Sequence, residues 1–400
     1  MKKKIVHIIA VFMLTAVLMT ACVACGNKDV DKKAPVSRSV TIGSLVGGRV
    51  VADKATATAG EVVTLTVSAT GGYHFIDGTL TANGVAVPLK DGKYTFKMPY
   101  TDVTILAQFK KVYTRVDSDR VENENGRYLL FGEYPQSLAS DDVSENFKKA
   151  IKDNKLEAMK DSDGYYVSTV DGERYAMATA TKQNNREMFT DGVSQIFNGT
   201  SYFFKVEPIK WLILKEQNGQ ATLLAADILD THIFDSMKGD WEKSSVRAFL
   251  NGDLFLNKAF NASLKESIVE TTLDNRTTSW STENAKNLKD TVDKIFLPSY
   301  KDMAKVKSTE DNEYGFPMEN VKSAERKRLA TDFSRARGAW IDTAETNYGV
   351  APWWLRSIGN DADGKNVINV SKEGCVSGQY NGYAAPVEGI GIVPMLTLTM

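Results

Sequence analysis

Apolar and polar residues alternate with a period of two through residues 40–109. Val63, Leu65 and Val67 alternate with threonines and a serine, and the same alternation returns over residues 94–98 and 103–109. Because successive side chains of a strand point to opposite faces of a sheet, this pattern predicts strands with one buried face. The sequence therefore predicts a small all-β domain over residues 39–111.

Turn dipeptides separate these strands. Asn83-Gly84 and Asp91-Gly92 are typical of two-residue hairpin loops. The segments around them resemble the divergent internalin B-repeat family through the motifs GEVVTL at residues 60–65, GYHF at 72–75, TFKMP at 95–99 and DVTI at 102–105. The resemblance implies an extracellular spacer or adhesion module of a bacterial surface protein, in which His74 is a packing residue.

Helical and strand patterns are mixed over residues 127–400. Residues 142–159 and 263–270 carry apolar positions on one helical face, and Ser244 is placed to cap another short helix. Residues 353–400 instead hold short strand patterns and many glycines. Helices early and short strands late favour an α+β fold over a parallel doubly wound sheet.

Motifs in this larger region resemble an uncharacterised bacterial surface domain. They are YPQ at residues 134–136, PIKW at 208–211, WE with SVR and LN at 241–251, FL at 296–297, WWLRS at 353–357 and GIVP at 391–394. The family's last motif has an arginine where this chain has Val393. If that arginine pairs with a carboxylate in the core, this chain has lost or replaced the pair. The family is distantly similar to the sulfatase-modifying and C-type lectin-like folds, which implies a lectin-like α+β domain. Those enzymes need reactive cysteines, and this region has only Cys375, so their chemistry is not implied.

The N-terminus has the pattern of a bacterial export signal, with three lysines before an apolar run. Small residues precede Cys22 and Cys25, which resembles the site where a lipoprotein signal is cleaved and the cysteine is acylated. Cys22 is the preferred site, and an uncleaved membrane anchor is the alternative, because about 20 apolar residues can span a bilayer. We expect a signal peptide over residues 1–25, a flexible tether over 26–38 and a charged linker over 112–126.

Composition and charge exclude several classes of protein. The chain is 42% hydrophobic and 25% charged, which is typical of globular domains. It has 49 basic and 50 acidic residues, and removal of the three leader lysines leaves a formal net charge of −4. Such a body has no overall attraction to nucleic acid or to an anionic membrane. Three cysteines and three histidines argue against a disulfide scaffold and a histidine-rich metal site.

Enzyme motifs are missing from the sequence. It has no HExxH, GxSxG, GxGxxG or P-loop pattern. We interpret His232 as a turn residue that contacts Asp230 or Asp235, and Cys375 as a small buried side chain. A nucleophilic pair of Cys375 and His232 has no motif behind it. A glycosidase pair of carboxylates stays open, because 50 acidic residues make many pairs available and none diagnostic.

Three tryptophans and one arginine are the candidate ligand-binding residues: Trp354, Arg356, Trp340 and Trp241. Aromatic faces bind the C–H surfaces of sugars, and a guanidinium binds hydroxyl or carboxylate groups. Packing of the tryptophans in the core, with Arg356 buried, is the competing interpretation. Neighbours alternate along a strand, so Trp353 and Leu355 are assigned to the core face and Trp354 and Arg356 to the second face.

Two further segments carry charged groups of interest. Asp361 and Asp363 alternate within NDADGKN, which makes them candidate calcium ligands, and a turn with solvated acids is the alternative. Basic residues between Arg326 and Arg337 alternate with apolar ones, and we interpret them as a solvated helix face, not a nucleic-acid site.

The sequence thus predicts a lipoprotein on the outer face of a bacterial cell membrane, held there by an N-terminal lipid. Its β domain is a spacer or adhesion module, and its α+β domain binds a glycan or a protein. No cofactor is expected apart from the calcium candidate, and no nucleic acid is expected as a partner. An extracellular hydrolase of cell-wall or host polymers is the alternative, which a cleft with two carboxylates near Trp354 would favour.

Replacing the two candidate cysteines tests the lipid anchor. The double variant Cys22→Ser/Cys25→Ser has no thiol to receive diacylglycerol, so we expect it to lose metabolic labelling with a radioactive fatty acid and to keep its leader. Each single variant identifies which cysteine is used. Labelling of the double variant at the level of the unmodified protein contradicts the prediction.

Overall fold

The computed structural model describes residues 35–117, 127–181, 187–276, 288–306, 308–359, 363–377 and 382–400. Cys22, Cys25 and Asp361 lie outside the described residues, so their roles stay predictions. Of the helices in the described ranges, none combines the length and the apolarity needed to cross a membrane.

Short strands build the N-terminal domain. In chain order they are β1 (Ser37–Ile42), β2 (Gly48–Ala52), β3 (Thr56–Thr58), β4 (Val62–Ala69), β5 (Tyr73–Phe75), β6 (Thr81–Ala82), β7 (Val85–Ala86), β8 (Leu89–Lys90), β9 (Lys93–Lys97), β10 (Val103–Leu106) and β11 (Phe109–Lys111). One sheet has the order β3-β1-β10-β6-β7, a second has the order β2-β4-β9-β8, and β11 pairs with β5. Alternate residues such as Val63 and Ile105 form the apolar core, so the all-β prediction is confirmed.

Both predicted hairpin turns of this domain are present. Asn83 and Gly84 join β6 to β7 with φ angles of 48° and 79°, and Asp91 and Gly92 join β8 to β9 with φ angles of 50° and 73°. Left-handed backbone at both central positions matches the right-handed twist of the flanking strands. Asn, Asp and Gly tolerate that conformation best, which is why the dipeptides were informative.

The C-terminal domain combines many strands with a few short helices, an α+β fold as predicted. Its strands are β12 (Thr114–Val116), β13 (Tyr128–Leu138), β14 (Tyr166–Val167), β15 (Arg174–Thr179), β16 (Ser201–Gln217), β17 (Gln220–Ala225), β18 (Asp230–Thr231), β19 (Ile268–Val269), β20 (Thr271–Leu273), β21 (Thr291–Asp293), β22 (Ile295–Phe296), β23 (Trp353–Ile358), β24 (Asn366–Val370), β25 (Tyr383–Ala384), β26 (Gly391–Ile392) and β27 (Met395–Thr399).

Two sheets enclose the core of this domain. The larger has the order β12-β13-β16-β17-β27-β19, with β15 paired to β16, β14 to β15 and β22 to β27. The smaller has the order β18-β26-β23-β24-β25, and β20 pairs with β21. Trp211 of β16 and Trp353 of β23 belong to one apolar cluster. Both sheets therefore supply side chains to one apolar cluster among the described residues of this domain.

The helices are shorter than the sequence predicted. They are α1 (Asp141–Lys152), α2 (Ser245–Asn251), α3 (Leu256–Ala259), α4 (Ala262–Lys265), α5 (Tyr300–Met303) and α6 (Asp332–Ala336), with 3₁₀ turns at Leu156–Met159, Trp241–Lys243, Ala324–Arg326 and Glu345–Asn347. Ser244 caps α2 through the Arg247 amide, as predicted. The cap of α1 is Ser140, one residue before the helix begins. The helix predicted over 263–270 ends at Lys265, because the chain then enters β19.

The segment predicted as a linker is partly structured. Val112 and Tyr113 pack into the C-terminal core, and Thr114–Val116 pairs with β13. The strand Thr114–Val116 is too short, and the residues around it are too charged, for an alternation of apolar and polar positions to predict it. The residues described between β11 and β12 therefore connect the two domains directly, with little free chain.

Polar contacts join the two domains beyond this connection. The Lys110 ammonium donates to the Ser263 hydroxyl over 2.7 Å and lies 3.3 Å from the Glu266 carboxylate. His74 lies with its Nδ1 3.4 Å from the Ser267 hydroxyl. Burial lowers the pKa of His74, and the positive charge of Lys110 adds to the effect. His74 therefore packs where the N-terminal domain contacts the C-terminal domain.

The arginines between residues 326 and 337 correct the predicted solvated helix face. Arg326, Arg328 and Arg335 are buried. The Arg326 guanidinium donates to backbone carbonyls of Met303, Pro317, Met318, Val321 and Gly374. A guanidinium has five donors in a fixed fork, so one side chain satisfies several loop carbonyls that would otherwise be buried without partners. Charge and alternation in the sequence did not reveal this, because the carbonyls come from distant loops.

Removing the Arg326 fork tests its structural role. We expect Arg326→Met to lower the free energy of unfolding by about 3 kcal/mol or more, because several buried carbonyls lose their donor. Lys322→Met is the matched control, since Lys322 is exposed on the same segment, and we expect a change of less than about 0.5 kcal/mol. Urea unfolding followed by tryptophan fluorescence measures both. Equal stabilities of the two variants would disprove the role.

Candidate functional site

Strand β23 carries the WWLRS motif and is buried over its whole length. Trp353 and Leu355 are fully buried. The second face is covered as well, because the Trp354 ring contacts Phe234 at 5.8 Å and Tyr383 at 6.3 Å between ring centroids. The strand is therefore packed between two layers, and Arg356 enters the protein interior.

Two of the predicted ligand-binding tryptophans belong to the core. Trp354 is fully buried and donates its indole N–H to the His232 carbonyl over 2.9 Å. Trp241 is fully buried and donates to the Asp293 carboxylate over 3.0 Å. Neither ring has surface for a ligand, which corrects the prediction for both. The excess of tryptophan in the sequence did not distinguish a binding surface from core packing, since both bury aromatic area.

Trp340 has the exposure that a binding residue needs. Its side chain is 47% exposed and stands edge-on against Tyr383, with ring centroids 5.8 Å apart. The Gly389 backbone packs under the indole so closely that a Cβ there would lie 2.3 Å from the ring. The ring is thus fixed in orientation, and its role in binding stays a prediction.

Arg356 is held by an acid and a carbonyl. Its Nη1 lies 3.0 Å from Asp302 Oδ2 and 2.9 Å from the Leu297 carbonyl oxygen. Asp302 also accepts the Ser299 amide in the capping box of α5. Nε of Arg356 is buried and has no hydrogen-bond partner among the described residues. This geometry matches the buried pair that the sequence left as the competing interpretation.

A cavity of about 660 Å³ opens beside this ion pair, and we call it the Arg356 cavity. Arg356 is 7% exposed and is one of the residues that line it. Polar groups dominate its wall, with hydroxyl, carboxylate, amide and ammonium groups from Thr222, Thr271, Thr272, Asp274, Ser299, Lys301, Asp302, Glu310, Asp311, Asn312, Glu313, Tyr314 and Thr397. These residues come from β17, β20, β27 and the chain after β22, which the sequence separates widely.

Four of the acids that line the Arg356 cavity are paired with cations. The pairs and their N–O distances are Asp302 with Arg356 at 3.0 Å, Asp274 with Arg276 at 3.1 Å, Asp311 with Lys305 at 3.0 Å and Glu313 with Lys215 at 2.8 Å. Each carboxylate keeps lone pairs for further donors, because a carboxylate accepts about four hydrogen bonds. The cavity therefore offers many hydrogen-bonding groups with little uncompensated charge.

Two side chains of the cavity have shifted pKa values. Burial raises the pKa of Asp274, but hydrogen bonds from Arg276 and the charges of Arg276 and Lys301 outweigh it, so the pKa is lowered. Burial, followed by the charges of Asp302 and Glu313, raises the pKa of Tyr314. Asp274 is then an acceptor and Tyr314 a hydrogen-bond donor at neutral pH.

The other reactive groups predicted from the sequence lie away from this wall. His232 places Nδ1 2.6 Å from the Ile233 carbonyl and stacks on Phe249, so its contact is not with Asp230 or Asp235. Cys375 is half-buried and its thiol contacts the Asn320 carbonyl at 3.6 Å. The described contacts do not join the two into a nucleophilic pair.

Motif residues form buried polar networks elsewhere in the domain. Tyr134 of YPQ donates to Asp230, which also pairs with Arg337. Val393, the position of the family's arginine, is fully buried. Tyr134, Asp230 and Val393 are buried and therefore stabilise the fold.

The described residues contain no group of three His, Cys, Asp or Glu side chains placed to hold a metal ion. Asp363 pairs with the Lys365 ammonium at 3.0 Å. Asp361, its predicted companion, lies outside the described residues. The calcium site therefore stays a prediction.

Comparison with known families identifies both domains in part. Residues 38–113 match a family described as a divergent InlB B-repeat domain. Residues 218–400 match a family described as a domain of unknown function, DUF6273. The match begins at the turn between β16 and β17, although β13 and β16 belong to the same sheet as β17. Neither a curated protein nor a solved structure matches the chain.

Breaking the ion pair below the cavity tests whether Arg356 is structural. We expect Arg356→Met to lower the free energy of unfolding of the C-terminal domain by about 3 kcal/mol, because Asp302 and the Leu297 carbonyl lose a buried partner. Lys305→Met removes the partner of the almost fully exposed Asp311 carboxylate and is expected to cost less than about 1 kcal/mol. Thermal melts compare the two, and an unshifted transition for Arg356→Met would contradict the assignment.

Proposed function

We propose that this chain is a bacterial cell-surface lipoprotein whose C-terminal domain binds a glycan in the Arg356 cavity. The B-repeat domain suggests a surface protein, and it is proposed to act as the spacer between the membrane and the binding domain. The lipid on Cys22 or Cys25 is the proposed anchor, since the mature body is mildly acidic and has no general attraction to an anionic membrane.

The observation that carries the proposal is the pairing of charges around the Arg356 cavity. A ligand that is itself charged needs a cavity with an opposite excess charge, whereas four of the acids here have a cationic neighbour. Sugar hydroxyls both donate and accept, so they match a wall of carboxylates, ammonium groups and threonine hydroxyls. A hydroxyl-rich ligand fits this wall better than an apolar or simply ionic one.

The shape of the site favours a glycan over a protein partner. Its volume of about 660 Å³ lies within the range of about 300–1,000 Å³ for small-molecule sites. Stable protein partners need broad surfaces of about 800 Å² on each side, with an apolar centre. The polar, concave wall of the Arg356 cavity suits a few sugar rings instead.

Hydrolysis is the second candidate, because several carboxylates line the cavity and Arg356 lies two residues after Trp354. A glycosidase needs one carboxyl group that carries a proton at neutral pH. The lowered pKa of Asp274 favours an ionised carboxylate at that position. Binding without cleavage is therefore the function that the geometry supports best.

A glycan array probed with the chain lacking residues 1–25 tests the proposal. We expect binding to a defined group of glycans, and a loss of about tenfold or more in affinity for Glu310→Gln/Asp311→Asn, which removes two exposed acceptors at the cavity. Asp141→Asn/Asp142→Asn on α1 is the matched control and should bind normally. Absence of binding to every glycan would disprove the function, and release of shorter sugars from bound glycans would favour the hydrolase.

A further inference from the structure

The Arg356 side chain keeps hydrogen-bond donors for a ligand in addition to those that hold it in place. Its hydrogen bonds to the described residues both use Nη1, one to the Leu297 carbonyl and one to Asp302 Oδ2. Nε is enclosed by protein atoms and has no partner within the described ranges. Because Arg356 lines the Arg356 cavity, the donors that remain for a ligand there are those of Nη2.

Asp302 supplies the matching acceptor. Its Oδ2 receives the Arg356 Nη1 at 3.0 Å and the Ser299 amide at 2.6 Å. The described contacts place no donor on Oδ1, and the Asp302 side chain keeps 19% exposure where it lines the same cavity. A carboxylate oxygen has two lone pairs, so Oδ1 is left as an acceptor beside the guanidinium.

Both groups are fixed in position before a ligand arrives. The Arg356 guanidinium lies 5.9 Å from the centre of the Phe296 ring, which also lines the cavity. Asp302 is held by the capping box of α5, in which its amide donates to the Ser299 hydroxyl over 3.2 Å. Donors and acceptors that are already in place lower the ordering cost of binding.

The opposite charges of Arg356 and Asp302 disfavour an ionic group between them. The carboxylate repels an anion that approaches Nη2, and the guanidinium repels a cation that approaches Oδ1. A hydroxyl group is neutral and both donates and accepts. One hydroxyl has a single proton to give, whereas the ion pair offers two N–H groups on Nη2 as well as the acceptor Oδ1, so two neighbouring hydroxyls match it better.

We propose that the Arg356–Asp302 pair recognises two adjacent hydroxyl groups of one sugar ring, a vicinal diol. One hydroxyl accepts from Arg356 Nη2, and its neighbour donates to Asp302 Oδ1. This inference rests on the proposed glycan-binding function and specifies the class of glycan. The ring that occupies the Arg356 cavity must carry adjacent, unsubstituted hydroxyl groups.

A glycan array that includes linear tetrasaccharides of glucose, mannose and galactose, each in a 1,3-linked and a 1,4-linked form, tests this inference on the chain lacking residues 1–25. A second copy of the array is treated with periodate and then borohydride, which opens every ring with adjacent free hydroxyls. The inner rings of the 1,3-linked glycans stay intact, because their hydroxyls are not adjacent. We expect all binding to be lost on the treated copy, whereas undiminished binding to treated 1,3-linked glycans would overturn the inference.

The variant Asp302→Asn separates ligand recognition from the structural role of the ion pair. The asparagine oxygen can still accept from Arg356 and Ser299, which turns the amide N–H groups toward the cavity and replaces the acceptor with a donor. We expect an affinity about tenfold lower or less for the tetrasaccharide with the strongest array signal, measured by calorimetry. A cooperative thermal melt confirms that the variant is folded.

Asp230→Asn is the matched control. Asp230 is also buried and lies 3.2 Å from the Arg337 guanidinium, but it is not part of the cavity wall, so this variant should bind as the unmodified chain does. Unchanged binding of Asp302→Asn, or equal losses in the two variants, would overturn the inference while the proposed function stands. Binding to no glycan of the untreated array would overturn both.

Discussion

The buried strand β23 imposes the constraint on which the C-terminal domain depends. It is covered on both faces, so Arg356 is taken into the interior with its charge. An uncompensated buried charge costs several kcal/mol, and the Arg356 guanidinium therefore has to find Asp302 and the Leu297 carbonyl. Asp302 lies on α5, so this one ion pair fixes the chain that forms much of the wall of the Arg356 cavity.

Buried arginine side chains hold the loops of this domain together, as disulfides or metal ions do in other loop-rich proteins. Arg326 and Arg335 are buried and donate to backbone carbonyls of separate loops. Such loops contain few ladder hydrogen bonds, and a guanidinium with five donors satisfies several of their carbonyls at once. The domain can then keep long irregular segments around its cavities without a second cysteine near Cys375.

Charge around the Arg356 cavity is largely compensated. Four of the acids that line it lie beside a cation, and their carboxylates keep lone pairs for further hydrogen bonds. The polar wall is therefore formed by the fold itself, from strands and loops that the core holds in place.

The sequence by itself determined the local features of this protein. Period-two alternation predicted the strands of the β domain, Asn83-Gly84 and Asp91-Gly92 predicted its hairpins, and Ser244 predicted the start of α2. These features depend on residues close together in the chain. Only the tertiary structure decided that Trp354 and Trp241 are core residues, that Arg326 is buried and that Asp274, Asp302 and Tyr314 line one cavity with Arg356. Burial and charge pairing join residues from distant segments, and no local pattern records which of them will meet.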